Sequence, residues 1–263
     1  MFILECISVL VCLAFLTYGS WVDVKTREIP NKLWLIFGPT ALLLTIIRVS
    51  FNQELFQTTI LSFFPNLTIA IIISYSHFFG GADVLALICI TLSTPIYPTT
   101  IKPMIGFLHP LFPISLFCNS CLIALSPTFC IALRNTFRKP RRGLFDGFEK
   151  EPIWRKALAF VSGYRTNFSE LEKREYLYPM ELVLEKGGKI VRRFKFLINA
   201  EVDREKEVKK LKTYLGNGFV SQIVWVSPSL PMLFFFTIGY ILTIILGDIV
   251  FWLIQHLACS ISI

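Results

Sequence analysis

Val-Asp-Val-Lys-Thr-Arg-Glu-Ile-Pro-Asn (residues 22–31) and Phe-Gly-Gly-Ala-Asp (79–83) decide how this chain folds. Each sets one acidic residue, Asp23 or Asp83, at the edge of a long apolar run. A carboxylate near the hydrocarbon of a bilayer is costly to desolvate, so such a residue is first of all a candidate for chemistry. Whether the two acids meet decides what that chemistry is.

Upstream of Asp23, residues 2–22 are apolar apart from Glu5. At about 1.5 Å per helical residue they suffice to cross about 30 Å of hydrocarbon. No basic residues precede the run, and it leads directly into the Asp23 loop, which predicts a retained span instead of a cleaved signal. Lys25, Arg27 and Lys32 make the loop 23–32 basic, and basic short loops face the cytoplasm. A second span is expected over 33–49. Pro30 suits a first helical turn, where a missing N–H costs nothing, and Asn31 adds capping chemistry. An outer loop around Arg48 to Gln57 follows, then a third span, 58–78, which returns Asp83 to the side of Asp23. Spans over 84–101, within 104–133 (kinked near Pro110 and Pro113) and over 228–254 bring the total to six.

Composition agrees with this path. The chain has 263 residues, 54% of them hydrophobic, with 25 Phe and only 17% charged; that is the make-up of a polytopic membrane protein. Seven Cys are scattered singly, and the one close pair, Cys118 and Cys121, has no second pair to complete a zinc site. They read as small apolar fillers. Three domains are expected: 1–133 with five spans, a basic cytoplasmic insert over 134–224, and 225–263 with the sixth span.

The insert holds 21 of the 26 Lys and Arg and 12 of the 18 Asp and Glu, so the basic excess of the whole chain lies there. Residues 181–196 predict a β-hairpin around Gly187 and Gly188, and 201–215 a helix stopped at Gly216-Asn217-Gly218, so an α+β domain is expected. Its basic patches, 138–142 and Arg192-Arg193, suit anionic lipid head groups better than nucleic acid beside a membrane.

An Asp followed by a basic loop ending in Ile29-Pro30-Asn31, with Gly80-Gly81-Ala82-Asp83 about sixty residues on, resembles the prepilin peptidase family, and more narrowly its archaeal preflagellin and prepilin peptidases, which are GxGD intramembrane aspartic proteases. Ala82 stands where the general motif has its second Gly, a departure that shifts the match toward the archaeal branch. The resemblance covers the membrane core well and 134–224 poorly. It implies that Asp23 and Asp83 are the catalytic pair, that no metal or organic cofactor is needed, and that the substrate is a preflagellin or pilin-like precursor cut at the cytoplasmic face between a basic leader and an apolar helix. Bacterial relatives also methylate the new terminus, but no S-adenosylmethionine signature occurs here.

Two carboxyls about 3 Å apart cannot both ionise easily, so a dyad shares one proton and can supply a base and an acid together. Lys25 and Arg27 favour an ionised Asp23. Gly80 and Gly81 lack Cβ atoms and tolerate unusual backbone angles, which lets a substrate backbone approach Asp83. Ile29, Pro30 and Asn31 support the loop, and Glu28 is a candidate for reading a basic leader. The bland readings are that Asp23 pairs with a neighbouring base and that Asp83 is the N-cap of its helix. Asp248 is expected near the outer face, away from the pair, and His77 close to Asp83 reads as structural, with His109 and His256 on the outer side. The competing class is a transporter or assembly factor using its carboxylates without proteolysis.

Overall fold

The computed structural model describes residues 2–51, 53–76, 79–106, 111–137, 143–186, 189–196, 204–217 and 221–261. The chain divides into two compact units, Met1–Ala124 with Pro231–Ile263, and Leu125–Leu230. The expected divisions at 134 and 225 differ from these because the second unit also takes in the end of an apolar helix.

In the first unit, α1 (Phe2–Thr26), α2 (Asn31–Phe51) and α3 (Gln53–Ser76) are long apolar helices. A fourth helical stretch of spanning length and composition covers Phe112–Phe137. It divides into α5 (Phe112–Ile123) and α6 (Ser126–Phe137). Pro113 lies in the first turn of α5, where proline starts a helix instead of kinking it. Pro39 and Pro65 sit inside α2 and α3. The core joins five helices through residues such as Cys12, Phe37, Ile90, Leu116 and Tyr240. Lipid is as apolar as these side chains, so close packing and interhelical hydrogen bonds hold such helices together. At Gly239 an added Cβ would lie 3.1 Å from the Ser120 Cα, so α5 packs almost backbone to backbone there.

Two of the expected spans take a different form. α4 (Gly81–Ser93) is 13 residues long and stops well short of 101. Its terminal carbonyls explain how it can end inside the protein. Thr45 donates to Leu92 O, the Arg48 guanidinium to Ser93 O at 3.2 Å, and Ser62 to Pro95 O. Non-helical backbone is tolerated at this depth where protein groups satisfy it. The last apolar segment is broken into α10 (Met232–Leu246) and α11 (Ile249–Ile261), bent by 60°. The break follows from Gly247, with φ 104°, a backbone that residues with a side chain rarely adopt. Met104 and Ile105 N–H groups bind the Ile245 and Leu246 carbonyls at 2.9 and 3.0 Å. Asn119 Nδ2 donates to Gly247 O at 2.9 Å, and its Oδ1 accepts from Ile249 N at 3.1 Å. Among the described residues, four or five segments, depending on how the bent pair is counted, are long and apolar enough to cross a membrane.

Arg48 is also not in an outer loop. It lies in α2, 1% exposed, with its guanidinium 3.8 Å from the equally buried carboxylate of Glu5. Thr99 Oγ1 completes that carboxylate's shell at 3.0 and 3.2 Å. Neither charge is affordable alone in this setting, and each accounts for the other.

The second unit is α+β. β5 (Ile223–Pro228) lies between β1 (Tyr164–Asn167) and β2 (Leu177–Pro179), antiparallel to both. β3 (Glu181–Lys186) and β4 (Lys189–Phe194) form the expected hairpin, with Glu181 opposite Phe194. Its turn glycines lie outside the described residues. α7 (Ile153–Ser162), α8 (Phe168–Lys173) and α9 (Arg204–Gly216) complete the unit. α9 begins at the first described residue after 203 and carries a Lys209–Glu205 pair, one turn apart, at 3.2 Å. The Arg192-Arg193 patch is half internal. Arg192 is committed to Glu181 at 2.6 Å and to the face of Phe148, which leaves Arg193 exposed. The basic run 138–142 lies outside the described residues.

Candidate active site

Asp23 lies on the last turns of α1, 9% exposed. Its Oδ2 accepts the backbone N–H of Leu233 at 3.3 Å. Leu233 is the second residue of α10, so the carboxylate occupies the positive end of that helix and satisfies one of its four orphan donors. Beside it, Ser20 Oγ donates to Leu233 O at 2.8 Å, and Thr237 Oγ1 to Leu16 O at 3.1 Å. The acid is thus held by a contact 210 residues away in sequence. No local pattern around residue 23 announces that contact, although the proline at 231 marks a helix start that could have suggested a cap.

The loop after Asp23 turns sharply. Arg27, just past α1, has φ 59°, and its N–H bonds to Asp23 O at 3.0 Å. Lys25, one of the two bases expected to favour an ionised Asp23, lays its ammonium 4.9 Å over the Trp21 ring instead. α2 begins at Asn31, and Pro30, immediately before it, accepts the Leu33 N–H at 3.0 Å. The tripeptide makes the abrupt loop-to-helix turn expected of it. Ile29 packs against the membrane core, as does Ala82 from the second stretch.

Asp83 occupies the third position of α4, with Gly80 as the N-cap. The N-cap assignment for Asp83 is therefore corrected by three residues. Asp83 still serves that helix end, because its Oδ2 accepts the Gly80 N–H at 2.9 Å. This is one half of a capping box, the other half being impossible for a glycine. Among the described residues Oδ1 has no hydrogen-bond partner. Gly80 has φ −73° and ψ 158°, ordinary extended values, and Gly81 is not left-handed either. The unusual backbone angles expected of the glycines are absent. What they supply is space: a Cβ at Gly81 would meet nothing within 4 Å.

α1 packs against α4, so the elements that carry the two acids are neighbours: Asp23 lies on the last turns of α1, against the start of α10, and Asp83 in the first turn of α4. His77 and His109 lie outside the described residues. His256 is on α11, with Nδ1 3.0 Å from Trp252 O. Asp248 serves the helix break: Oδ1 accepts the Phe251 N–H at 2.8 Å and Oδ2 the Ser115 hydroxyl at 2.7 Å. A Gly-Asp dipeptide inside an apolar run was the available sign of that break.

Several apolar helices, with Asp23 buried and Asp83 half-buried near helix ends, describe a multi-pass membrane protein with a candidate carboxylate site. Comparison with known proteins makes the class specific. Residues 10–128 match the type IV leader peptidase family, and residues 155–249 match the archaeal peptidase A24 C-terminus type II. Over these two stretches the chain is similar to the type IV leader peptidases and to their archaeal form. It is similar to a preflagellin peptidase of Methanococcus voltae, 27% identical over 241 residues, and to one of Methanococcus maripaludis, 25% identical over 243 residues. Both alignments cover 89% of this chain and 92% of the relative. The second match falls where the sequence alone had least to offer.

Proposed function

We propose that this protein is an aspartic endopeptidase that removes the short basic leader from a preflagellin or pilin-like precursor, with Asp23 and Asp83 as its catalytic pair. The observation that carries this reading is the seating of both carboxyls at the starts of helices, where backbone N–H groups hold them, with the helices that carry them, α1 and α4, packed together.

The chemistry follows from the proton inventory of such a pair. One ionised Asp takes a proton from the attacking water. The other, protonated, donates a hydrogen bond to the scissile carbonyl and stabilises the tetrahedral oxyanion. The proton then passes to the departing amine, and the pair returns to its shared-proton state. The cationic Arg27 close after Asp23 in sequence supports Asp23 as the base and leaves Asp83 as the acid. The open space at Gly81 suits an extended substrate backbone, and Gly80, Ile29, Pro30 and Asn31 shape the walls. Glu28 is exposed and is positioned in sequence to attract a basic leader. No cofactor has a part in this scheme.

Six crossings are proposed, counting α4 with the buried, non-helical Thr94-Pro95 segment as the fourth and the bent α10–α11 pair as the sixth. The basic loop 23–32 then places both acids and the inserted unit in the cytoplasm, with anionic head groups as a second partner.

The test is cleavage of a preflagellin precursor by the purified protein in detergent, comparing wild type with Asp23→Asn and Asp83→Asn and sequencing the new N-terminus. Cleavage between leader and apolar helix that each substitution abolishes in a folded protein is the expected result. Near wild-type activity in either variant removes the dyad. Failure to cut any precursor moves the transporter or assembly reading forward.

A further inference from the structure

The inserted unit carries an apolar surface that its own fold does not cover. On α7, Ile153 is 85% exposed and Trp154 61%, and Ala157 and Leu158 are exposed on the same side. The spacing i, i+1, i+4, i+5 makes this one helix face. The opposite side packs inward through Ala159, which is fully buried. A water-soluble domain gains nothing by presenting a tryptophan and two large aliphatic side chains together.

The fold ties this face to an apolar segment of spanning length. α6 is the end of the apolar stretch Phe112–Phe137 and exposes Phe129, Leu133 and Phe137 at intervals of four along one stripe. α7 packs on α6. Asn135, in the last turn of α6, donates to the carbonyls of Phe160 and Gly163, both at 2.7 Å, so the end of α7 is tied to the end of the membrane helix. Ile131, one turn earlier, packs into the core of the inserted unit, and Arg134 stacks 3.7 Å over Tyr164. The rest of the unit therefore grips α6 over its last two turns, at the end of the apolar stretch. Lys150 is exposed just ahead of the patch, and Lys156 lies beside it, its ammonium bonded to the Glu149 carbonyl at 3.0 Å.

We propose that α7 is an interfacial helix, with Ile153, Trp154 and Leu158 set into the head-group region of the bilayer and its flanking lysines facing anionic lipid. A short helix with an aromatic-rich apolar face and cationic flanks lies in the interface plane, and tryptophan favours that level because its ring is apolar and its N–H is polar. The occupant is lipid because α7 is anchored on α6, the end of an apolar stretch of spanning length whose own Phe129, Leu133 and Phe137 are also exposed. The proposal rests on the membrane-spanning character of that helix and not on the aspartic pair.

The experiment reads Trp154 fluorescence in the full chain reconstituted into bilayers of phosphatidylcholine and phosphatidylglycerol. Trp154→Phe is made as the blank; the side chain is mostly exposed, so the change leaves the core intact. The difference between wild-type and variant emission is the Trp154 signal. It is expected to be blue-shifted, and to be lost when the acyl chains are brominated close to the head group. A water-like emission that bromine leaves unchanged overturns the proposal. So does a blue-shifted emission that bromine leaves unchanged, because that tryptophan is covered by protein. Cleavage activity has no part in the readout, so this result stands or falls independently of the proposed peptidase mechanism.

Discussion

Gly81 is the position at which one added methyl group says most. Its backbone is not left-handed, and a Cβ there meets nothing within 4 Å. Alanine in a first helical turn is intrinsically favoured over glycine by up to about 1 kcal/mol. Gly81→Ala is therefore expected to leave thermal unfolding unchanged or slightly raised. If the vacant space receives the substrate backbone, the same methyl group displaces the scissile bond, and kcat/KM for precursor cleavage falls by up to about a hundredfold. Unchanged cleavage in a stable variant removes the glycine from the substrate path. Both acids and both glycines were legible from the sequence, because polar and Cβ-free residues at the edge of an apolar run are rare enough to notice. The role of Asp23 at the start of α10 was not, because its partner is a backbone N–H contributed by the far end of the chain.

Glu5 and Arg48 show the same limit among the helices. Each looks like a flaw at the edge of its apolar segment, and only the packing of α1 against α2 turns them into a pair. Removing one partner leaves the other charge buried and uncompensated, at about 3–5 kcal/mol. Glu5→Gln and Arg48→Met are each expected to lower unfolding temperature sharply. The double variant is expected to be more stable than the sum of the two losses implies, as a double-mutant cycle in detergent would measure. Asn119 is a second such element, since its amide serves Thr243 Oγ1, Gly247 O and Ile249 N at the α10–α11 break. Asn119→Leu strands those buried groups, each at about 1–3 kcal/mol, and is expected to destabilise the protein measurably. The ends of α4 and α10 escaped the sequence because helix termini inside a membrane protein are decided by who satisfies the last carbonyls. Those partners come from other helices.

Over the whole molecule, the two units have separate cores and respond to different variables. In the inserted unit, Glu181 is buried between Arg192 and the Trp225 N–H, at 2.6 and 2.8 Å. Burial pushes its carboxyl above the ordinary glutamate value, against the pull of Arg192 and the Trp225 N–H. The folded unit therefore keeps that proton to higher pH than the unfolded chain does. Its contribution is most favourable below the unfolded value and is lost as pH rises toward the folded one. Glu181→Gln cannot titrate, so its stability relative to wild type is expected to improve as pH is raised above about 4.5, measured by near-ultraviolet circular dichroism of the unit's aromatic cluster. A constant difference across that range contradicts the assignment.

The tie between each acid and a helix start has a consequence for large-scale variant surveys. A library scored separately for protein abundance and for processing would show two kinds of loss at positions 23 and 83. Asparagine keeps a side-chain oxygen for the Leu233 or Gly80 N–H, so it drops out of the processing score alone. Alanine and leucine forfeit the cap as well and fall on both axes. An intolerant position in such data thus carries two separable constraints, and the asparagine column tells them apart.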